Sequence, residues 1–423
     1  MLVYMNLPQS AQSAHGSPSE AATKTSNSAP RAAAGPAILR QGFRLFFLAA
    51  GVWAASVVAL WLAIIAGEIM LPSAFDPITW HAHEMLFGYL AAVIAGFLLT
   101  AIPNWTGRLP VGGWRLGVLF ALWCAGRVAV GLSAHTGPVV AAAADLAFLA
   151  ALAAVVLREI AAKGNRRNLP IAGLIVVLAG SNLLVHLEAL GLTATGSLGL
   201  RLGLADVAFL IALVGGRVVP SFTRNWLAKR GAPVLPRPFG GLDRLALGSL
   251  ALAGLSWALA PGASATGGLA ILAAVLNGAR LGGWCGHRTL GEPLVWILHL
   301  GYAWLVAGFA LIGVAVFLPG LSQTAALHAL TVGAMGTMTL AVMTRATLGH
   351  SGQSLRAGPG TAMIYGLVSA AALLRILAPF APNDATTLLG LSGLCWIGAF
   401  GLFVVLYGPL LAGGFNRLFR RVR

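Results

Sequence analysis

The sequence predicts an all-α polytopic membrane protein with about twelve transmembrane helices. Of its 423 residues, 58% are hydrophobic and only 9% are charged, whereas a soluble globular domain carries roughly 25% charged residues. The mean hydropathy is +0.86, and apolar stretches repeatedly reach the length of about 20 residues that spans a bilayer. These observations exclude a soluble enzyme and place most of the chain in lipid.

The predicted spans follow one another with short connections and leave no room for a soluble domain. The twelve apolar segments are 43–67, 81–103, 112–133, 138–158, 169–191, 198–220, 242–260, 264–283, 293–318, 322–346, 360–380 and 386–414. The longest loop, 221–241, contains three prolines and is predicted to be a basic connector. We find no internal repeat in the sequence, which argues mildly against an inverted-repeat transporter.

The two ends of the chain differ from this pattern. Residues 1–39 are rich in Ala, Ser, Pro and Asn and lack the apolar core of a signal peptide, so they are predicted to form a disordered cytoplasmic tail. Residues 40–415 are predicted to form a single transmembrane domain, and residues 416–423 a basic cytoplasmic tail.

The basic residues predict the orientation. The chain has 27 Lys and Arg against 11 Asp and Glu, a formal charge of +16. With the N-terminal tail in the cytoplasm, these residues accumulate in alternate loops, and only Arg127, Arg201 and Arg375 map near the opposite side. By the positive-inside rule both termini are cytoplasmic. The charge is therefore a topology signal and does not indicate a nucleic-acid partner.

Five of the nine histidines fall inside predicted spans, where an ionisable side chain costs about 2.5 to 3.5 kcal/mol and marks a candidate functional site. They are His81, His83, His186, His299 and His328. The topology brings all but His299 into the outer leaflet, although more than 240 residues separate the first from the last. Because imidazole is the usual neutral ligand for haem iron and copper, this pattern favours a bound metal over a proton relay.

The cysteines and the spacing of two histidines refine this prediction. The three cysteines lie more than 100 residues apart without a CxxC or CxxCH motif, which argues against a thiolate zinc site and a c-type haem. His81 and His83 are two positions apart, so on a regular helix their rings point about 200° apart. They could serve two neighbouring centres but not one metal.

Other polar residues lie near these histidines. Glu84 is a candidate proton donor or a hydrogen-bond acceptor beside the pair. Asn182 precedes His186 by one turn, and Thr324 and Thr331 flank His328, so they are candidate supporting residues. Two pairs of intramembrane charges are predicted to neutralise each other: Arg127 with Asp145, and Arg201 with Asp206.

Six motifs occur in an order that resembles the NnrS family of bacterial inner-membrane proteins, over about residues 40–415. They are GFRLFF from Gly42, WHAHEMLFGYLAAVIAGFLLTAIPNWTG from Trp80, SNLLVHLEAL around His186, GGRVVPSFTRNW from Gly215, LHLGYAWL around His299 and HALTVGAMGTMTLAVMTRATLGHSG from His328. The resemblance implies a multi-pass protein of the bacterial inner membrane that contains haem b and copper and is associated with nitric oxide metabolism, nitrosative stress and denitrification. It also implies a distant likeness to the haem-copper oxidases and NO reductases, whose twelve-helix bundle holds metals in its outer half.

The same resemblance implies roles for residues within the motifs. The five intramembrane histidines would be the metal ligands, with Trp80, Arg44 and Arg217 supporting them. In the oxidases an HxH pair ligates two adjacent haems, an arrangement that His81 and His83 fit. Five arginines of the motifs could bind haem propionates: Arg40, Arg44, Arg217, Arg224 and Arg345. His350 belongs to the last motif but is predicted to lie in a cytoplasmic loop.

These features leave three functions open. The first is a metalloprotein that binds or turns over nitric oxide, an NO-reactive oxidoreductase if membrane quinol or a separate partner supplies electrons. The second is a secondary transporter that uses intramembrane His and Glu as a proton-coupled site. The third is a metal-free partner of a denitrification complex. The sequence leaves the number of haems and the oligomeric state open.

Overall fold

The computed structural model describes residues 35–162 and 168–414. The chain is 80% helical, and the described residues contain no strand. In these residues twelve helices are long and apolar enough to cross a membrane, which confirms the predicted fold class. We label them α1 to α12: Gly42–Ile65, Pro77–Thr106, Trp114–Gly131, Pro138–Ala161, Leu169–Ala189, Leu198–Ala228, Gly241–Leu259, Ser264–Arg288, Pro293–Phe317, Gln323–His350, Pro359–Phe380 and Ala385–Leu411.

Several helices extend further than hydropathy predicts, and two of the extensions change a predicted loop. Helix α6 continues through Pro220 to Ala228, eight residues past the predicted end, so the loop predicted over 221–241 is much shorter. Helix α10 runs to His350, which places this histidine on the helix rather than in a loop. A short 3₁₀ helix, Ala37–Leu39, lies within the predicted N-terminal tail. Residues 1–34 of that tail lie outside the described residues, and so does the predicted tail 416–423.

Helix α2 begins four residues before its apolar stretch because Asp76 caps it. The Asp76 carboxylate accepts hydrogen bonds from the backbone N–H groups of Ile78 and Thr79, and Pro77 occupies the first turn. Partial burial raises the pKa of Asp76, but the hydrogen bonds from Thr79 and Ile78 outweigh it and hold that pKa below its usual range. The ionised cap therefore fixes the start of the helix that carries two of the candidate histidines.

Replacement of Asp76 by Ala is expected to cost about 0.5–2 kcal/mol of stability at neutral pH, the usual cost of losing an N-cap. Since the folded-state pKa is lowered, this contribution is present above the unfolded pKa of about 4 and is lost as pH falls through the folded value. Thermal unfolding of both proteins in detergent at pH 7 and at pH 3 tests this. Asp76→Asn should retain most of the cap at both pH values, and a gap between wild type and Asp76→Ala that is as large at pH 3 would contradict it.

Two helices form the interior of the bundle. In α2, 78% of the residues in the 18-residue apolar stretch are buried, and in α10 72% are buried, against 28–56% in the other spans. The remaining ten helices pack in a ring around them, in the order α1, α3 to α9, α11, α12 and back to α1. The hydroxyl groups of Tyr89 on α2 and Thr339 on α10 join the inner helices through a short hydrogen bond. Side chains on α2 and α10 are thus shielded from lipid.

Both inner helices contain a π-helical segment directly after a histidine. In α2 the segment Glu84–Leu90 follows His83, and in α10 the segment Ala329–Gly336 follows His328. π-helical turns are rare and are frequent at functional sites. They coincide here with the histidines that sequence analysis selects.

Candidate metal centre

Two histidines and one aspartate meet inside the bundle, near the end at which α2 and α4 begin. One ligand atom from each of His83, Asp145 and His186 lies within 4.8 Å of the others, and all three residues are buried. Asp145 Oδ2 is 3.1 Å from His83 Nε2 and 3.0 Å from His186 Nε2. The side chain of Asn182 completes the group, with its Oδ1 3.0 Å from His83 Nε2. We call these four residues the His83 cluster.

The cluster draws its members from three helices. His83 lies on α2, Asp145 on α4, and Asn182 and His186 are one turn apart on α5. The Asn182 amide donates to Asp145 Oδ2 at 2.7 Å, so the carboxylate is held in place from two sides. The predicted grouping of His83, Asn182 and His186 agrees with this geometry, whereas Asp145 enters the sequence analysis only as a charge partner. Its position near the start of α4, at the same end of the bundle as His83, is the signal that could have found it.

An arginine and a second carboxylate surround the cluster. The Arg127 guanidinium donates to Glu84 at 2.9 Å and makes a short ion pair with Asp145, which confirms the predicted pairing of Arg127 with Asp145. Trp53 Nε1 donates to Glu84 at 3.0 Å. With both carboxylates ionised, the guanidinium protonated and both imidazoles neutral, the group carries a net charge of −1. A buried net negative charge favours a bound cation or an added proton.

The other nitrogen of His83 also has a fixed partner. His83 Nδ1 lies 3.1 Å from Glu84 Oε1, and an ionised carboxylate can only accept from it. His83 Nε2 also faces acceptors, Asp145 Oδ2 and Asn182 Oδ1, so the neutral ring has an acceptor for its proton at either nitrogen. A metal in the cluster would need the lone pair of Nε2, and the proton would then lie on Nδ1 beside Glu84. The rings of Phe75 and Phe87 each pack 5.1 Å from the His83 ring. They cover the cluster with apolar surface.

A second pair of histidines lies on the opposite side of α2, as the two-residue spacing predicts. The His81 ring stacks on Trp61 at 4.6 Å and an interplanar angle of 23°. His81 and His328 lie near each other and near Arg375. His328 Nδ1 lies 2.8 Å from the Thr324 carbonyl oxygen and donates to it, which leaves Nε2 with a free lone pair. We call His81 and His328 the second histidine pair.

The NnrS protein family model matches residues 37–414, nearly the whole chain. The chain belongs to the NnrS family. Membership indicates a membrane protein with a function related to nitric oxide. No curated protein sequence matches this NnrS chain at a significant level.

Several predicted site residues of this NnrS protein lie away from both histidine groups. His299 sits at the other end of the bundle, where its Nε2 is 2.8 Å from the Thr223 hydroxyl. Arg44 donates to the Leu410 carbonyl. Among the other predicted supporting residues, Arg217 donates to Asn168, Trp80 packs in a cluster with Val57 and Val130, and Thr331 donates to the Leu327 carbonyl.

The predicted pairing of Arg201 with Asp206 in this NnrS chain is wrong. Arg201 donates to the carbonyl groups of Ala258 and Gly196 instead. A separation of five residues rotates the second side chain by about 140° from the first on an α-helix, so the two groups leave the helix in different directions. Neither oxygen of the buried Asp206 carboxyl has a hydrogen-bond partner among the described residues.

Proposed function

We propose that this NnrS protein holds copper in the His83 cluster and haem b at the second histidine pair, and that these centres bind or turn over nitric oxide and so protect the cell from nitrosative stress. The proposed location is the bacterial inner membrane, with the centres in the outer half of the bilayer. The observation that carries the proposal is the convergence of two imidazole nitrogens and a carboxylate on one buried point. Structural ion pairs alone do not require two neutral histidines at such a point.

The residues of the His83 cluster fit copper. Imidazole nitrogen is a common copper ligand, and the cluster offers two, with one carboxylate and one amide oxygen beside them. Its net charge of −1 would be neutralised by a monovalent copper ion. Bound copper would supply a redox-active centre that can take nitric oxide as a ligand.

The protein's own residues prepare the cluster for that ion. Glu84 accepts hydrogen bonds from Trp53 and Arg127 and offers His83 Nδ1 an acceptor for its proton when Nε2 binds the ion. These contacts favour the acceptor role of Glu84 over the proton-donor role. Arg127 balances the two carboxylates, and Asn182 orients Asp145. Such supporting contacts fix the ligand tautomer and orientation of metal sites in general.

The second histidine pair fits haem iron. The bond from His328 Nδ1 to the Thr324 carbonyl is the usual contact of a ligating histidine, and the buried Nδ1 atom of the half-buried His81 is unpartnered among the described residues. Arg375 interacts with both and could bind a propionate. If the protein turns over nitric oxide, the electrons would come from membrane quinol or a separate partner.

Metal analysis and reduced-minus-oxidised visible spectra of detergent-purified variants test the proposal. His83→Ala and His186→Ala are expected to lower copper content at least tenfold while leaving haem in place. His81→Ala and His328→Ala are expected to do the reverse, because they lie on the other side of α2. His299→Ala is the matched control, a buried histidine outside both groups, and should retain both metals.

Nitric oxide is then added to the wild-type protein, and its spectrum is expected to change. A colourless, copper-free protein from haem- and copper-sufficient cells would overturn the proposal and favour the proton-coupled transporter. Equal metal content in all five variants would overturn the ligand assignment.

A further inference from the structure

The two inner helices correspond residue by residue. His83 and Gly88 on α2 match His328 and Gly333 on α10, and Gly107 and Gly352, which follow the two helices, match as well. The two members of each pair are 245 positions apart. The π segments begin at the matching residues Glu84 and Ala329. The final glycines have the same left-handed backbone, with φ of 66° and 67°. Helices α2 and α10 are therefore two copies of one structural unit.

The preceding helices extend this correspondence. A Cβ placed on Gly88 would lie 2.6 Å from Nε1 of Trp53 on α1, and a Cβ on Gly333 would lie 2.8 Å from Cδ2 of Trp304 on α9. In both cases an indole occupies the space left by the glycine that follows the histidine by five residues. The hairpins α1–α2 and α9–α10 are thus equivalent, and we call them the first and second hairpin.

The hairpins differ in the partner of the indole. In the first, Trp53 Nε1 donates to the Glu84 carboxylate. In the second, the residue that matches Glu84 is Ala329, which has no acceptor, and the buried Trp304 Nε1 lacks a partner among the described residues. The hydroxyl of the fully buried Thr337, one turn beyond Gly333, is unpartnered as well. A buried polar group left unsatisfied destabilises the folded protein, so the second hairpin has two donors in need of an acceptor.

The two hairpins also differ in whether the neighbouring arginine has a carboxylate partner. In the first hairpin, Arg127 has Glu84 and Asp145 as counter-charges. Near the second, Arg375 lies close to the second histidine pair, and the ion pairs of the described residues give it no carboxylate. The second hairpin therefore has an indole donor and a nearby cation but no anion.

We propose that the second hairpin binds an anionic oxygen ligand, a carboxylate or a small oxyanion, through Trp304 Nε1 and the Thr337 hydroxyl with Arg375 as the counter-charge. The ligand takes the place that the Glu84 carboxylate holds in the first hairpin. It has two possible sources, a haem propionate or a free anion. Only the first source rests on the haem part of the proposed function, so the two can fail separately.

Trp304→Phe tests the proposal because it removes the donor and keeps an aromatic ring against Gly333. The full-length purified protein is titrated with formate and with nitrite by calorimetry, and its haem affinity is measured in parallel. Loss of one hydrogen bond to a charged acceptor should weaken the bound ligand about tenfold or more. Trp396→Phe is the control, since its N–H already donates to the Ala54 carbonyl, and it should change neither affinity.

Ala329→Glu tests the same site in the opposite direction. It introduces the carboxylate that the first hairpin contains. This carboxylate should accept from the two donors and abolish ligand binding. Ala329→Gln introduces a side chain of the same shape without the charge and should weaken ligand binding less. Formate or nitrite binding that depends on Trp304 identifies a free anion. Haem affinity that depends on Trp304, without formate or nitrite binding, identifies a propionate.

The result that would overturn the proposal is unchanged haem, formate and nitrite affinity in Trp304→Phe relative to Trp396→Phe. This comparison decides even if Ala329→Glu fails to fold. Metal content that is lost in the His83 and His328 variants while Trp304→Phe has no effect would overturn this inference and leave the proposed function standing.

Discussion

Arg127→Met is expected to destabilise the protein by about 3–5 kcal/mol, the cost of removing one partner from a buried ion pair. Arg127 is 5% exposed and stands between Glu84 and Asp145. Without the guanidinium, two carboxylates face each other across an apolar interior, beside His83. The expected consequences are a lower unfolding temperature in detergent and a reduced yield of monodisperse protein.

Removal of the whole charged group should reverse much of this loss. A triple variant that combines Arg127→Met with Glu84→Gln and Asp145→Asn leaves no unpaired charge, and buried ion pairs can often be replaced by uncharged groups at little cost. Arg201→Met is the matched control because Arg201 bonds only to carbonyl groups in the contacts described, so its loss should cost about 1 kcal/mol or less. A single Arg127 variant as stable as the Arg201 variant would contradict the prediction.

Gly216→Ala is expected to cost about 3 kcal/mol through a different buried cation. A Cβ at this position of α6 would overlap the Arg280 guanidinium. That guanidinium is 1% exposed and donates to Asp243 at 2.8 Å and to the Tyr302 hydroxyl at 2.9 Å. Since the cation cannot move aside without leaving these partners, a single methyl group breaks the ion pair.

The control for this prediction is Gly180→Ala on α5, where a Cβ would meet no atom within 4 Å. Alanine is the better helix former by about 1 kcal/mol, so this variant should be neutral or slightly stabilised. Unfolding temperatures of the two variants in the same detergent provide the comparison. Equal temperatures would show that Arg280 adapts without losing Asp243, contrary to the expectation.

The fold was accessible from sequence because its signals are local. Each span is an apolar stretch, and the distribution of Lys and Arg fixes the number of crossings. Hydropathy does not predict the extension of α6 to Ala228. The polar residues after Pro220 have the hydropathy of a loop, although the helix continues through them. Helix ends at the membrane surface depend on tertiary contacts such as that between Thr223 and His299.

The site was accessible only in part. Topology gives the depth of a side chain, so His83 and His186 could be placed at one level. It gives neither the direction in which a side chain leaves its helix nor the neighbour it meets. For that reason the sequence pairs Asp145 only with Arg127, and it pairs Asp206 with Arg201, which bonds to two carbonyl groups instead. Sequence comparison does not reveal that the two hairpins are equivalent. Their equivalence lies in the π-helical geometry and in a few glycines, and the overall sequence similarity is low.

The order in which the helices are synthesised has a consequence for the two histidine groups. All residues of the His83 cluster, with Glu84, Arg127 and Trp53, precede the end of α5 at Ala189. The second histidine pair is complete only after α10, and Arg375 follows on α11. During biogenesis the first group can therefore assemble while more than half of the chain is still to be made. His81 is synthesised with this group, whereas His328 follows much later, so the residues of the two histidine groups become available one after the other.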